Sequence, residues 1–207
     1  MDTAVKPLDR TKRAGAPGRI IVVRHGRPNL DRNAGPKLDW RSYRGWWAKY
    51  EVAPLADGQK CPDPLLGEVS EDAILFSSVR PRAMQTADQM ARGRNVTRDA
   101  IFNEATLPPP HWKLRHLPRT WNWMSRLVWM MGHADPGDED VKEARARASR
   151  AADVLVKTAN EGGGRDVVVA AHGWFNRMLR PQLKRRGWTC IHDGGDKYWS
   201  YRIYKKK

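Results

Sequence analysis

Two stretches of this chain share a pattern that limits how it can fold. "IIVVRHG" (residues 20–26) and "DVVVAAHG" (residues 166–173) each set a run of apolar, largely β-branched residues directly before His-Gly. Apolar runs this short and continuous read as strands buried on both faces, the kind found in parallel sheets covered by helices. The chain has six histidines, and two of them, His25 and His172, occupy this same setting. Ligands of open α/β sheets bind at the carboxyl ends of the strands. His25 and His172 are therefore candidates for one site.

The rest of the pattern supports alternating strands and helices. Ala73 to Phe76 reads as a second strand, Ile101-Phe102 as a short third, and Tyr198 to Tyr204 as a last strand at the sheet edge. Ala83, Ala87 and Met90 share one face of a helix over 82–92. Trp121, Met124, Val128 and Met131 give a helix over 119–131, expected to pack in the core or a lid. Val141, Ala144, Ala148, Ala152 and Leu155 give a longer helix over 139–160. A helix over 174–186 contains Pro181, which is expected to kink or split it. A short helix is expected near Trp46 to Tyr50. This alternation predicts an α/β domain with a mostly parallel central sheet. Residues 1–18 read as a flexible basic arm, and 19–207 as a single domain with lid insertions around 27–70 and 105–135.

Composition narrows the function classes. Hydrophobic residues are 40% and charged residues 29%, a soluble globular balance. No apolar run could span a bilayer. The start "MDTAVKPLDRTKRAGAPG" lacks the apolar core of a secretory signal. Cys61 and Cys190 are the only cysteines, too few for a disulfide framework or a zinc site. A cytoplasmic protein with reduced thiols is expected. The net charge of +15 favours anionic partners: phosphorylated compounds, nucleic acid or an acidic membrane surface. A basic surface that is merely well solvated is the plainer alternative. Arg177, Arg180, Lys184, Arg185 and Arg186 form such a solvated helix face, so nucleic-acid binding is expected to be weak and non-specific at most.

The first four predicted strands end on groups that suit a phosphoryl site. Arg24 and His25 follow the first strand. "SSVRPRAMQTA" (residues 77–87) follows the second and brings Arg80 and Arg82 to a helix start. Glu104 follows the third in "FNEATLPPP", and His172 follows the fourth. Arginines beside His25 would repel a metal ion, whereas guanidinium grips phosphate oxygens bidentately. Imidazole can attack phosphorus and split one displacement into two. The glycine after each histidine lets the backbone turn sharply and approach a ligand closely. Arg80 is read as a surface group, and His111 and His116 as loop histidines.

Three of these segments, "RHG" (24–26), "SSVRPRAMQTA" and "AAHG" (170–173), resemble in order the motifs of the histidine phosphatase superfamily, the phosphoglycerate-mutase-like group. The resemblance covers most of residues 19–204. It implies a three-layer α/β/α sandwich and a phosphohistidine intermediate. His25 resembles the nucleophile, and Arg24, Arg82 and His172 the phosphate pocket. Arg82 fits better than Arg80 because Arg82-Ala83 precedes Gln85-Thr86-Ala87. Glu104 resembles the proton donor. Arg27 after RHG, and "LPPPHW" in place of a glycine-rich acidic stretch, depart from the mutases. The expected activity is hydrolysis of a phosphomonoester, on a phosphorylated small molecule or phosphoprotein, with no metal or organic cofactor. A mutase and a non-catalytic basic binding protein are the alternatives. No feature of the sequence encodes the oligomeric state.

Overall fold

The computed structural model describes residues 16–207, so nearly all of the expected arm over 1–18 lies outside the described residues. The strands are β1 (Ile20–Arg24), β2 (Ile74–Ser77), β3 (Val96–Arg98), β4 (Val167–Ala171), β5 (Trp188–Asp193) and β6 (Tyr201–Lys206). The helices are α1 (Trp40–Glu51), α2 (Asp63–Glu68), α3 (Pro81–Ala91), α4 (Pro118–Met130), α5 (Val141–Glu161) and α6 (Gly173–Arg185). They surround one sheet of order β3-β2-β4-β1-β6-β5. The first four of these strands are mutually parallel; β6 runs antiparallel to β1, and β5 antiparallel to β6.

The two β-branched runs occupy the middle of the sheet because both of their faces are covered. Ile20, Val22, Val167 and Val169 face Ala148, Ala152 and Leu155 of α5 and Phe175 and Leu179 of α6. Ile21, Val23, Val168 and Ala170 face Leu65 of α2 and Ala87 and Met90 of α3. Each fully buried Val, Leu or Ile contributes about 1.5–3 kcal/mol by leaving water, so both faces hold the strand pair in register. The small alanines on α5 let that helix lie close to the sheet. Asp140 and Glu143 form a reciprocal capping box at its start. The result is a three-layer α/β/α arrangement with a mostly parallel sheet. No helix among the described residues is long and apolar enough to cross a membrane.

Several local expectations are corrected. The third strand is Val96–Arg98. Ile101-Phe102 lies instead in a 3₁₀ turn, because the Asp99 carboxylate accepts the Ile101 N–H at 2.8 Å and Phe102 drops into the core. Pro181 does not split α6, which runs unbroken while Phe175, Leu179 and Leu183 hold one side against the sheet. The last strand is not the edge: β5 lies outside β6, and its exposed residues beyond Trp188 hid it from a search for apolar runs. Helix α1 is longer than expected, starting where Asp39 accepts the Ser42 N–H at 2.8 Å. The basic run on α6 is not simply solvated. Asp196 in the β5–β6 loop pairs with Arg177 and Arg180, and Asp153 of α5 pairs with Arg186.

Candidate active site

The register of β1 against β4 builds the site. Arg24 lies opposite Ala171, so the next residues, His25 and His172, leave adjacent strands side by side. The His25 N–H donates to the Ala171 carbonyl at 3.0 Å, and the two imidazole centroids are 5.0 Å apart. On the other side of β4, Ser77 lies opposite Ala170, and the Ser78 N–H donates to the Ala170 carbonyl at 3.1 Å. The carboxyl ends of three parallel strands thus converge on one spot.

His25 is buried, and its Nδ1 lies 2.7 Å from the Gly26 carbonyl oxygen. A carbonyl only accepts, so Nδ1 carries the proton and Nε2 the lone pair. Arg82 donates its Nε–H to that Nε2 at 3.3 Å. Burial, then the guanidiniums of Arg82 and Arg24, hold the His25 pKa well below the ordinary histidine value, so the ring is neutral at pH 7.

Arg82 is only 1% exposed and is anchored at the end of α1. Its Nη1 donates to the carbonyls of Tyr50 (2.8 Å) and Glu51 (2.9 Å), and Nη2 donates to Glu51 Oε1 at 3.0 Å. A guanidinium has five N–H donors, so one Nη2–H remains beyond these bonds and the one to His25. Glu51 Oε2 pairs with Arg80 Nε at 2.9 Å, so Arg80 is a partner of the site's carboxylate and not a free surface group.

His172 is fully buried. Its Nε2 lies 2.8 Å from Ser78 Oγ. That hydroxyl donates to Asn103 Oδ1 at 2.7 Å and accepts the Arg80 N–H at 3.1 Å. Asn103 Oδ1 also accepts the Val79 N–H, which identifies it as the oxygen. The single serine proton is spent on Asn103, so His172 must donate from Nε2. Its Nδ1 is buried with no partner. Burial, followed by the charge of Arg82, drives the His172 pKa well below the ordinary value.

Arg24 donates from Nη1 to the Asp196 carbonyl, and its guanidinium lies 4.4 Å over the Tyr198 ring. Its Nε is buried and unpartnered. Glu104 sits at the start of α6, where its oxygens accept the N–H groups of Trp174 (3.1 Å) and Phe175 (2.7 Å). It therefore anchors the helix whose N-cap is His172. The two glycines serve close approach, and neither has a left-handed backbone. A Cβ on Gly26 would come within 2.5 Å of the Trp199 indole, and one on Gly173 within 3.1 Å of Arg24 Nε.

The structure brings His25, Arg24, Arg82 and His172 together and sets Glu104 at the neighbouring helix start. Sequence reasoning did not find Glu51, Ser78, Asn103, Tyr198, Arg32 or Arg126. Arg32 donates to the Tyr198 hydroxyl at 3.1 Å. Arg126 lies 5.3 Å over the Trp174 ring with its Nε buried and unpartnered. Both come from the segments expected to form lids, whose sequence carries no motif. His111 stacks on Trp40 at 4.0 Å, and His116 meets the edge of Trp121. Among the described residues, no group of three or more His, Cys, Asp or Glu is arranged to hold a metal ion.

Comparison with known proteins places the chain by family and fold. The family described as the histidine phosphatase superfamily (branch 1) matches residues 61–193, a span that includes Arg82, Glu104 and His172 but begins after His25. No curated protein matches. Among solved structures, a mycobacterial glucosyl-3-phosphoglycerate phosphatase is 20% identical with a TM-score of 0.57, over 89% of this chain and 90% of that one. A phosphoglycerate mutase from Bacillus anthracis str. Sterne is 17% identical with a TM-score of 0.60, over 95% and 94%. A phosphoserine phosphatase from Entamoeba histolytica is 16% identical with a TM-score of 0.54, over 81% and 80%. At these identities they establish the fold.

The buried neutral histidines have a measurable consequence. The unfolded chain takes up protons near pH 6.5, whereas His25 and His172 in the folded site do so only at lower pH. Stability from this source is complete above pH 6.5 and is lost as pH falls below it. Urea denaturation at pH 7.5 and 5.5 should show a smaller loss on acidification in His172→Gln than in the unaltered protein. An equal loss in both proteins would contradict the assignment.

Proposed function

The chain belongs to the histidine phosphatase superfamily (branch 1), and from that premise we propose that it hydrolyses phosphomonoesters through a covalent phosphohistidine on His25. The observation that carries this reading is the bond from His25 Nδ1 to the Gly26 carbonyl, which leaves the Nε2 lone pair among guanidiniums. Nε2 attacks phosphorus in line with the ester oxygen. The P–N bond forms, the P–O bond breaks, and Gly26 takes up the growing charge at Nδ1–H. Arg24, Arg82 and His172 hold the phosphoryl oxygens, with Arg82 turning its Nε–H from His25 to the substrate. Phosphate near the unpartnered Nδ1 of His172 favours its protonation, which turns that atom into a donor.

Glu104 protonates the leaving alkoxide and then takes a proton from the water that attacks the phosphohistidine. A carboxylate has about four lone-pair positions, so the backbone bonds to α6 leave room for this proton. Arg24, Arg32 and Arg126 have no carboxylate ion-pair partner among the described residues. That surplus supports a small phosphorylated substrate with a second anionic group, held by Arg32 and Arg126. The two cysteines are unpaired, which supports a reducing, cytoplasmic setting.

Acid-labile, base-stable label from a phosphomonoester should be trapped on the protein, and His25→Ala should lose both the adduct and turnover. Normal turnover by His25→Ala would overturn the mechanism. Glu104→Gln should slow single-turnover cleavage of alkyl esters on the order of 10²-fold, and of nitrophenyl phosphate much less, because a phenolate leaves without a proton. Equal losses for both esters would limit Glu104 to holding α6.

A further inference from the structure

Helix α4 has two faces of different character. Trp121, Met124, Ser125, Val128 and Trp129 are buried. Trp123, Leu127 and Met130 recur at helical spacing and are exposed, Trp123 at 63%, and Met131 just past the helix at 70%. Trp112 and Leu114 in the preceding loop are exposed as well. Six of the nine large hydrophobic side chains exposed among the described residues therefore fall between 112 and 131. Loop and helix form one surface, because Trp112 and Met131 line the same shallow cleft with Val128. Single exposed apolar residues are ordinary, but such a concentration marks an interaction site.

The charge of this segment selects the partner. Between Glu104 and Asp135 the chain has no Asp or Glu, while Lys113, Arg115 and Arg119 stand exposed beside the apolar residues. A second copy of the chain would press these like charges together, and Asp135, the acid beside the cleft, is buried and already paired with Arg44. Nucleic acid would reward the cations but leave the apolar side chains without a role. An anionic bilayer meets both needs: indole and aliphatic groups enter the headgroup region, and the cations meet lipid phosphates. We propose that α4 and the loop before it dock this protein on the surface of an anionic membrane, as a peripheral contact. The buried side of the same helix carries Arg126 against Trp174, so docking sets one wall of the site beside the bilayer. The proposal does not depend on the catalytic reading, since lipid binding is measured without turnover.

Co-sedimentation of the full chain with vesicles tests this. The protein should sediment with vesicles of phosphatidylcholine and phosphatidylglycerol and stay in solution with phosphatidylcholine alone. The double variant Trp123→Ser/Leu127→Ser should bind at least about tenfold more weakly at the same salt, with turnover of nitrophenyl phosphate unchanged. Lys113→Gln/Arg115→Gln/Arg119→Gln should weaken binding with the apolar face intact. Absence of sedimentation with anionic vesicles would overturn the proposal. So would full binding by the Trp123→Ser/Leu127→Ser protein, which would assign adsorption to net charge alone. A dimer that this double variant abolishes, with no vesicle binding, would assign the face to a second copy.

Discussion

The site depends on the hydrogen-bonded register between β1 and β4. With Arg24 opposite Ala171, the backbone bond from His25 to the Ala171 carbonyl fixes two imidazoles beside each other. A slip of one residue would turn every side chain of β1 to the other face and exchange the two cores. The alternation of Ile20 and Val22 toward α5 and α6 with Ile21 and Val23 toward α2 and α3 guards against it. The precision of the site is therefore inherited from apolar packing some distance below it.

Above that frame the site's arginines and His172 are held by anchors that come from other elements. Glu51 fixes Arg82 and Arg80 from the end of α1. Ser78 and Asn103 fix the tautomer of His172, and the Asp196 loop holds Arg24. Burial and positive charge act together to keep both imidazoles neutral, so each ring keeps one nitrogen lone pair. An anion relieves the mutual repulsion of the guanidiniums, which makes phosphate binding favourable where a cation would be rejected.

The central strands were legible in the sequence because continuous β-branched runs between glycines have few other uses. Arg24, His25 and His172 were legible because each stands where a strand ends, and Arg82 because its surroundings resemble the family's motif. Val96–Arg98 and Trp188–Asp193 were not, since a three-residue strand and a mostly exposed edge strand lack an apolar pattern. Glu51, Asn103, Arg32 and Arg126 reach the site through the tertiary packing of α1, α4 and the loops, and no spacing in the chain announces that. Of the two reasons the sequence offers for a glycine after each histidine, the close approach of Trp199 and Arg24 holds, and a left-handed turn does not. Glu104 was found as a candidate donor, while its role in holding α6 became visible only from its backbone partners.

The central claim is that phosphorus is transferred twice, first to His25 and then to water. Each in-line displacement inverts configuration at phosphorus, so two together restore it. The most direct measurement hydrolyses a thiophosphate monoester of known configuration, made chiral with one oxygen isotope, in water carrying another, and determines the configuration of the thiophosphate released. Net retention is the result this mechanism predicts. Net inversion would mean that water attacks the substrate directly, and that His25 only binds the phosphoryl group.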